Sequence, residues 1–175
     1  MNLIYGEPKV GKTAFAINYL SRNSYGYKAY FIDLDFNVAG KLRTYTYVPE
    51  MFYYQTATQE NFWSVALSVP QGEICIVDCL SRFAESSADT SALTQFLKDI
   101  RKLDGVTTII LHHQNKTNKS YQGSNLIESL VDQTCCLEHD SIEIKSSRYQ
   151  IPRKYKLLKS FPDFFIEGLS APPIE

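Results

Sequence analysis

The stretch Gly6-Glu7-Pro8-Lys9-Val10-Gly11-Lys12-Thr13 constrains this chain more than any other. Asn2 to Tyr5 before it is a short apolar run, and Ala14 to Leu20 after it has helical spacing, so the stretch joins a strand to a helix. Glycines at both ends let the connection curl until successive backbone N–H groups point inward, a nest for phosphate oxygens. The helix that follows places the positive end of its dipole at the same point. In that setting the Lys12 ammonium reaches β- and γ-phosphates and the Thr13 hydroxyl coordinates a magnesium ion, so ATP and Mg2+ are the expected ligands.

The remaining apolar runs extend the pattern. Lys28 to Asp33 is aromatic and apolar and ends in an acidic cluster, Ile74-Cys75-Ile76-Val77-Asp78 ends in a carboxylate, and Thr107 to Leu111 ends at His112-His113. Between them, Gln59 to Val69 reads as a helix, and Ser91 to Lys102 places Leu93, Phe96, Leu97 and Ile100 on one helical face. Strands without polar alternation, separated by helices, predict an α/β fold with a mostly parallel sheet covered on both faces. Ligands bind such sheets at the C-terminal strand edges, where each of these polar clusters falls. After residue 133 the rhythm changes. Thr134 to Glu138, Ser141 to Lys145 and Arg153 to Leu158 predict short successive strands that extend the sheet as a C-terminal antiparallel meander.

With 175 residues, 44% hydrophobic and 21% charged, the chain suits one domain, expected over 1–169 with a proline-rich frayed tail at 170–175. A net charge of −1 offers no global attraction to polyanions, so contact with nucleic acid would need a local patch. Apolar runs are strand-sized, well short of a membrane helix, and no signal peptide precedes the loop. Cys75, Cys79, Cys135 and Cys136 lack paired metal-ligand spacing and read as buried thiols of a cytoplasmic protein.

Asp78 stands where a carboxylate must lie to hold magnesium opposite the phosphate loop. The order of parts, phosphate loop, Ile32-Asp33-Leu34-Asp35, Ile76-Val77-Asp78, then His112-His113-Gln114, resembles the RecA superfamily of ATPases. That superfamily includes recombinases, KaiC and hexameric helicases of the DnaB and RepA kind. The resemblance runs from Leu3 to about Phe165. It implies a catalytic carboxylate at Asp35, in the place usually held by glutamate, with Asp33 as the alternative. It aligns His113 with a sensor of the γ-phosphate. It makes the polar loop with Lys116, Lys119 and Tyr121 a single-stranded DNA contact, where lysines would meet phosphates and the ring would stack on a base. Gly123 to Asp132 is similar to the family's helix after that loop. Ile144 to Pro152 resembles a Lys-x-Arg-x-Gly-Pro segment that reaches a neighbouring subunit's nucleotide, with Arg148 as candidate finger and Lys145 second.

The segment from Lys145 to Lys159 holds six basic residues and no acidic one. Taken together, the resemblance implies an oligomer with shared ATP sites and a bare ATPase core like the short RecA-like proteins of phages and archaea. Three functions stay open: a DNA-acting ATPase of recombination, repair or replication, a RepA- or DnaB-like helicase, and a KaiC-like regulatory ATPase with a protein partner.

Overall fold

A computed structural model describes residues 1–20, 26–36, 38, 52–83, 90–114, 125–160 and 163–166. Its strands are β1 (Asn2–Gly6), β2 (Ala29–Asp33), β3 (Phe52–Thr56), β4 (Ile74–Asp78), β5 (Thr107–His113), β6 (Gln133–Leu137), β7 (Ser141–Ser147), β8 (Arg153–Ser160) and β9 (Asp163–Ile166). Its α-helices are α1 (Lys12–Phe15), α2 (Phe62–Ala66), α3 (Thr90–Ile100) and α4 (Asn125–Leu130). The strands lie side by side in the order β3-β2-β4-β5-β1-β6-β7-β8-β9. The first six run parallel, and β7, β8 and β9 follow antiparallel, as the apolar runs and the later meander predict.

The two-residue period of a strand explains why both faces are apolar. Leu3, Ile32, Val77 and Ile110 point into one cluster with Phe62 of α2, with Leu93, Phe96, Leu97 and Ile100 of α3, and with Ile127 of α4. Their chain neighbours Ile4, Phe31, Ile76, Ile109 and Leu111 point the other way and meet Phe15, Ala16 and Ile17. On the first face the Phe62 ring packs edge-on against Phe83 at 5.0 Å between centroids, and Phe83 stacks on Phe96 at 3.9 Å.

Several element boundaries differ from the sequence expectation. The helix after the phosphate loop is α-helical only to Phe15 and widens to a π turn over Ala16–Leu20. The segment read as a helix from Gln59 to Val69 keeps only Phe62–Ala66 in α-helix, with turns on either side. Strand β3 has no counterpart in the sequence reading. Its Phe-Tyr-Tyr run pairs in parallel with β2 and borders the sheet, where aromatic side chains are half exposed and alternation is weak. All four cysteines are buried free thiols. Among the described residues no helix is long and apolar enough to cross a membrane.

Candidate functional site

Strand register brings the polar strand ends together. Gly6 lies beside His113, Asp33 beside Asp78, and Asp78 beside Leu111. Two further backbone bonds lock this edge: Gln114 N–H donates to the Gly6 carbonyl at 2.9 Å, and Leu34 N–H donates to the Asp78 carbonyl at 2.7 Å. The loop between β1 and α1 turns through left-handed backbone at Lys9 (φ 67°) and Gly11 (φ 101°). Gly11 caps α1, its carbonyl accepting the Phe15 N–H at 2.8 Å.

Gly6 is required for close approach. A Cβ there would sit 2.3 Å from the Leu137 carbonyl oxygen and 3.1 Å from Val10 Cγ1. Because the first obstacle is backbone of the adjacent β6, relief means parting two core strands. Gly6→Ala is therefore expected to lower unfolding stability by about 2–3 kcal/mol. Urea unfolding of the variant checks this, and an unchanged midpoint would refute it.

Lys12 is buried, and its ammonium donates to the carbonyls of Gly6 and Glu7, both at 2.9 Å. Burial pulls its pKa below the usual lysine value, against the attraction of Asp78, Cys79 and Asp35. A desolvated cation whose hydrogen bonds end on neutral carbonyls fits an anionic ligand such as a nucleotide phosphate. Thr13 Oγ1 donates to Asp78 Oδ2 at 2.6 Å, joining residues 65 positions apart. Hydroxyl and carboxylate oxygens in contact beside the loop are the donor set of a hard cation, so the residues fit Mg2+. Burial pushes the Asp78 carboxyl up to about 6, partly offset by the Thr13 hydrogen bond. The peptide bond from Asp78 to Cys79 is cis.

The two carboxylates after β2 separate into different environments. Asp33 is fully buried, and its oxygens accept the N–H groups of Asp35 and Val38, each at 3.0 Å, and the Tyr54 hydroxyl at 2.9 Å. These bonds engage both Asp33 oxygens and hold the turn. Asp35 lies near enough to Lys12 for its charge to act on that ammonium. Arg82 Nε donates to its Oδ1, and the Cys79 thiol donates to its Oδ2 at 3.4 Å. Asp35, Cys79 and one ring nitrogen of His113 all lie within 4.8 Å of one another. Burial, then the nearby Lys12 charge, lowers the His113 pKa, so the imidazole is neutral at neutral pH. Cys79 reads from sequence only as a buried thiol, and Arg82 goes unnamed there. Their signal was position alone, just past an acidic strand end on the ligand-binding edge.

Arg148 lies elsewhere. It follows Ser147, which pairs with Gln133, itself the neighbour of Asn2 at the opposite end of β1 from Gly6. There its guanidinium meets Asp132 Oδ1 at 3.4 Å and donates to the Ser129 carbonyl at 3.1 Å. Lys145 pairs with Glu143 at 2.6 Å. Neither basic side chain joins this chain's own phosphate loop. Lys116, Lys119 and Tyr121 lie outside the described residues.

No protein-family model and no curated protein sequence matches this chain. Solved structures do. A KaiC-like protein from the hyperthermophilic archaeon Pyrococcus horikoshii OT3 superposes with a TM-score of 0.71 at 17% identity, covering 94% of this chain and 88% of that one. A DnaB-like replicative helicase, solved in a study of its interactions with primase, gives a TM-score of 0.71 at 16% identity over 94% of this chain. This chain spans 56% of that helicase's length. With the Gly6–Thr13 loop at the end of a central parallel strand and acidic strand ends beside it, the chain has the α/β fold of these two solved structures.

Proposed function

We propose that this chain binds and hydrolyses ATP in a magnesium-dependent reaction, as an oligomer acting on single-stranded DNA. The observation that carries the nucleotide part is the Thr13–Asp78 contact beside buried Lys12, with Asp35 and His113 on the same edge. Lys12 binds and orients the terminal phosphates and faces the charge that develops on transfer. Asp35, its carboxylate oriented by Arg82, takes a proton from the attacking water. His113, neutral and adjacent to Gly6, senses the terminal phosphate. Thr13 and Asp78 would hold Mg2+, which when bound neutralises charge on the β- and γ-oxygens. The loop carrying Lys116, Lys119 and Tyr121 supplies the DNA contact in this reading. Helicase action and regulation of a protein partner are the competing forms. Stimulation of hydrolysis by single-stranded DNA, with or without strand separation, distinguishes the three.

Two carboxylate variants test the site. Asp35→Asn should keep ATP binding and lose about 10²-fold or more in turnover. Full turnover in that variant places the base elsewhere. Asp78→Asn should lose magnesium-dependent nucleotide binding yet gain stability in the absence of ligand. A carboxyl raised from 3.8 to about 6 favours folding at low pH, and that contribution is lost as pH rises through 6. Asn carries no such titration, so the variant should be more stable than the parent by about 3 kcal/mol at pH 8, with the advantage vanishing toward pH 4. Urea unfolding at the two pH values measures it, and a variant less stable at pH 8 would refute the assignment.

A further inference from the structure

We infer that Asp35, Cys79 and His113 form a second, thiophilic metal site, suited to Zn2+, whose occupancy withdraws Asp35 and His113 from ATP hydrolysis. A carboxylate oxygen, a thiol sulfur and an imidazole nitrogen within 4.8 Å of one another are a mixed donor set that magnesium does not select and zinc does. Tetrahedral zinc, with bonds of about 2.0–2.3 Å, holds its ligand atoms about 3.3–3.8 Å apart. The Cys79 Sγ to Asp35 Oδ2 distance of 3.4 Å already meets that spacing, so only the imidazole has to swing inward.

Three further observations support the site. His113 ends β5 and Cys79 directly follows β4, so the sheet fixes both backbones, while Asp35 lies in the bend after β2, where Asp33 Oδ1 accepts its N–H at 3.0 Å. The two oxygens of Asp35 are divided, Oδ1 facing Arg82 and Oδ2 facing Cys79. A metal on Oδ2 can therefore leave the Arg82 bond in place as the outer partner that orients the ligand. His113 Nδ1 is buried and makes no hydrogen bond among the described residues, so ring rotation sacrifices no bond at that atom. Three protein ligands leave a fourth position for water or a phosphate oxygen. On binding, the Cys79 S–H bond breaks, its proton goes to solvent and a metal–thiolate bond forms, with no change of oxidation state.

The site differs from the Thr13–Asp78 pair in chemistry and in position along the strand edge. Metal uptake at Asp35, Cys79 and His113 does not depend on the ATPase reading, whereas its effect on turnover does.

The test begins with Co2+ added to the full chain without nucleotide. One cobalt per chain with thiolate-to-cobalt charge-transfer absorption, displaced by Zn2+, is expected. Cys79→Ser should abolish that absorption, His113→Ala should weaken cobalt binding at least tenfold, and Cys75→Ala should leave both unchanged, each with the parent's circular dichroism. If Cys79→Ser does not fold, Asp35→Asn and His113→Ala replace it: loss of cobalt affinity in both supports the site, and undiminished affinity in both overturns it. No thiolate absorption in the parent, or absorption that survives Cys79→Ser, also overturns the site. In ATP assays with excess Mg2+, Zn2+ should slow the parent at least tenfold and spare Cys79→Ser. Equal inhibition of the two overturns the proposed control. Because cobalt uptake is read without ATP, a chain that takes up cobalt through Cys79 but hydrolyses no ATP sinks the ATPase reading alone.

Discussion

Lys12→Ala is expected to slow ATP turnover by about 10³-fold or more while the chain stays folded. The ammonium is buried and its two hydrogen bonds end on Gly6 and Glu7 carbonyls, which belong to the same short loop. Removing it deletes the desolvated cation that, in the proposed function, binds the phosphates, and it relieves the chain of the burial that lowers the Lys12 pKa. Function and stability should therefore part company, with thermal unfolding close to that of the parent. Lys12→Arg makes the comparison sharper. Arginine keeps the charge but spreads it over a planar fork that does not reproduce the compact charge of an ammonium, so it should rescue little. Steady-state phosphate release measures both variants. Unchanged hydrolysis in Lys12→Ala would sink the assignment of the loop as a phosphate site.

The second large effect concerns Arg148, which we propose completes the ATP site of a neighbouring subunit. Within one chain it cannot serve, because it sits at the far end of the sheet from Gly6, about 13 Å away along β1 alone. It is half exposed, and Asp132 holds it in an ion pair that a stronger anion can replace. A guanidinium donated across a subunit boundary is worth about 10³-fold or more in other phosphate-loop enzymes, so Arg148→Ala should bind ATP and fail to hydrolyse it. Turnover per chain should rise with protein concentration in the parent. A mixture of Arg148→Ala and Lys12→Ala chains, each inactive alone, should recover activity, since mixed junctions pair an intact loop with an intact finger. A mixture as inactive as its parts, with oligomers shown to form, counts against a shared site. Full activity of Arg148→Ala alone moves the role to Lys145 or closes the site within one chain. Loss of the Ser129 and Asp132 contacts alone would lower stability without making the defect rescuable in the mixture, which separates a structural role from a catalytic one.

What could be read directly from the residues was local. An apolar run, a glycine that must adopt φ 101°, and an alternation of strand and helix are encoded within a few positions of one another. The phosphate loop, the parallel core strands, the α3 face and the later meander were legible for that reason. Boundaries drifted where several backbone forms were locally comparable, as in the π turn after Phe15 and the short α2. Strand β3 escaped because a border strand with half-exposed aromatics carries no strict apolar pattern. What only the tertiary structure decided was which side chains meet. Thr13 finds Asp78 across 65 positions, Arg82 finds Asp35 across 47, and Cys79 finds the same carboxylate across 44. Those meetings depend on strand order and register, set by the burial of two whole sheet faces rather than by any short segment. Asp33 and Asp35 show the division most sharply. The family resemblance ranks Asp35 ahead of Asp33, but the sequence does not show their surroundings, and only the fold turns Asp33 inward to Val38 and Tyr54 and leaves Asp35 to Arg82.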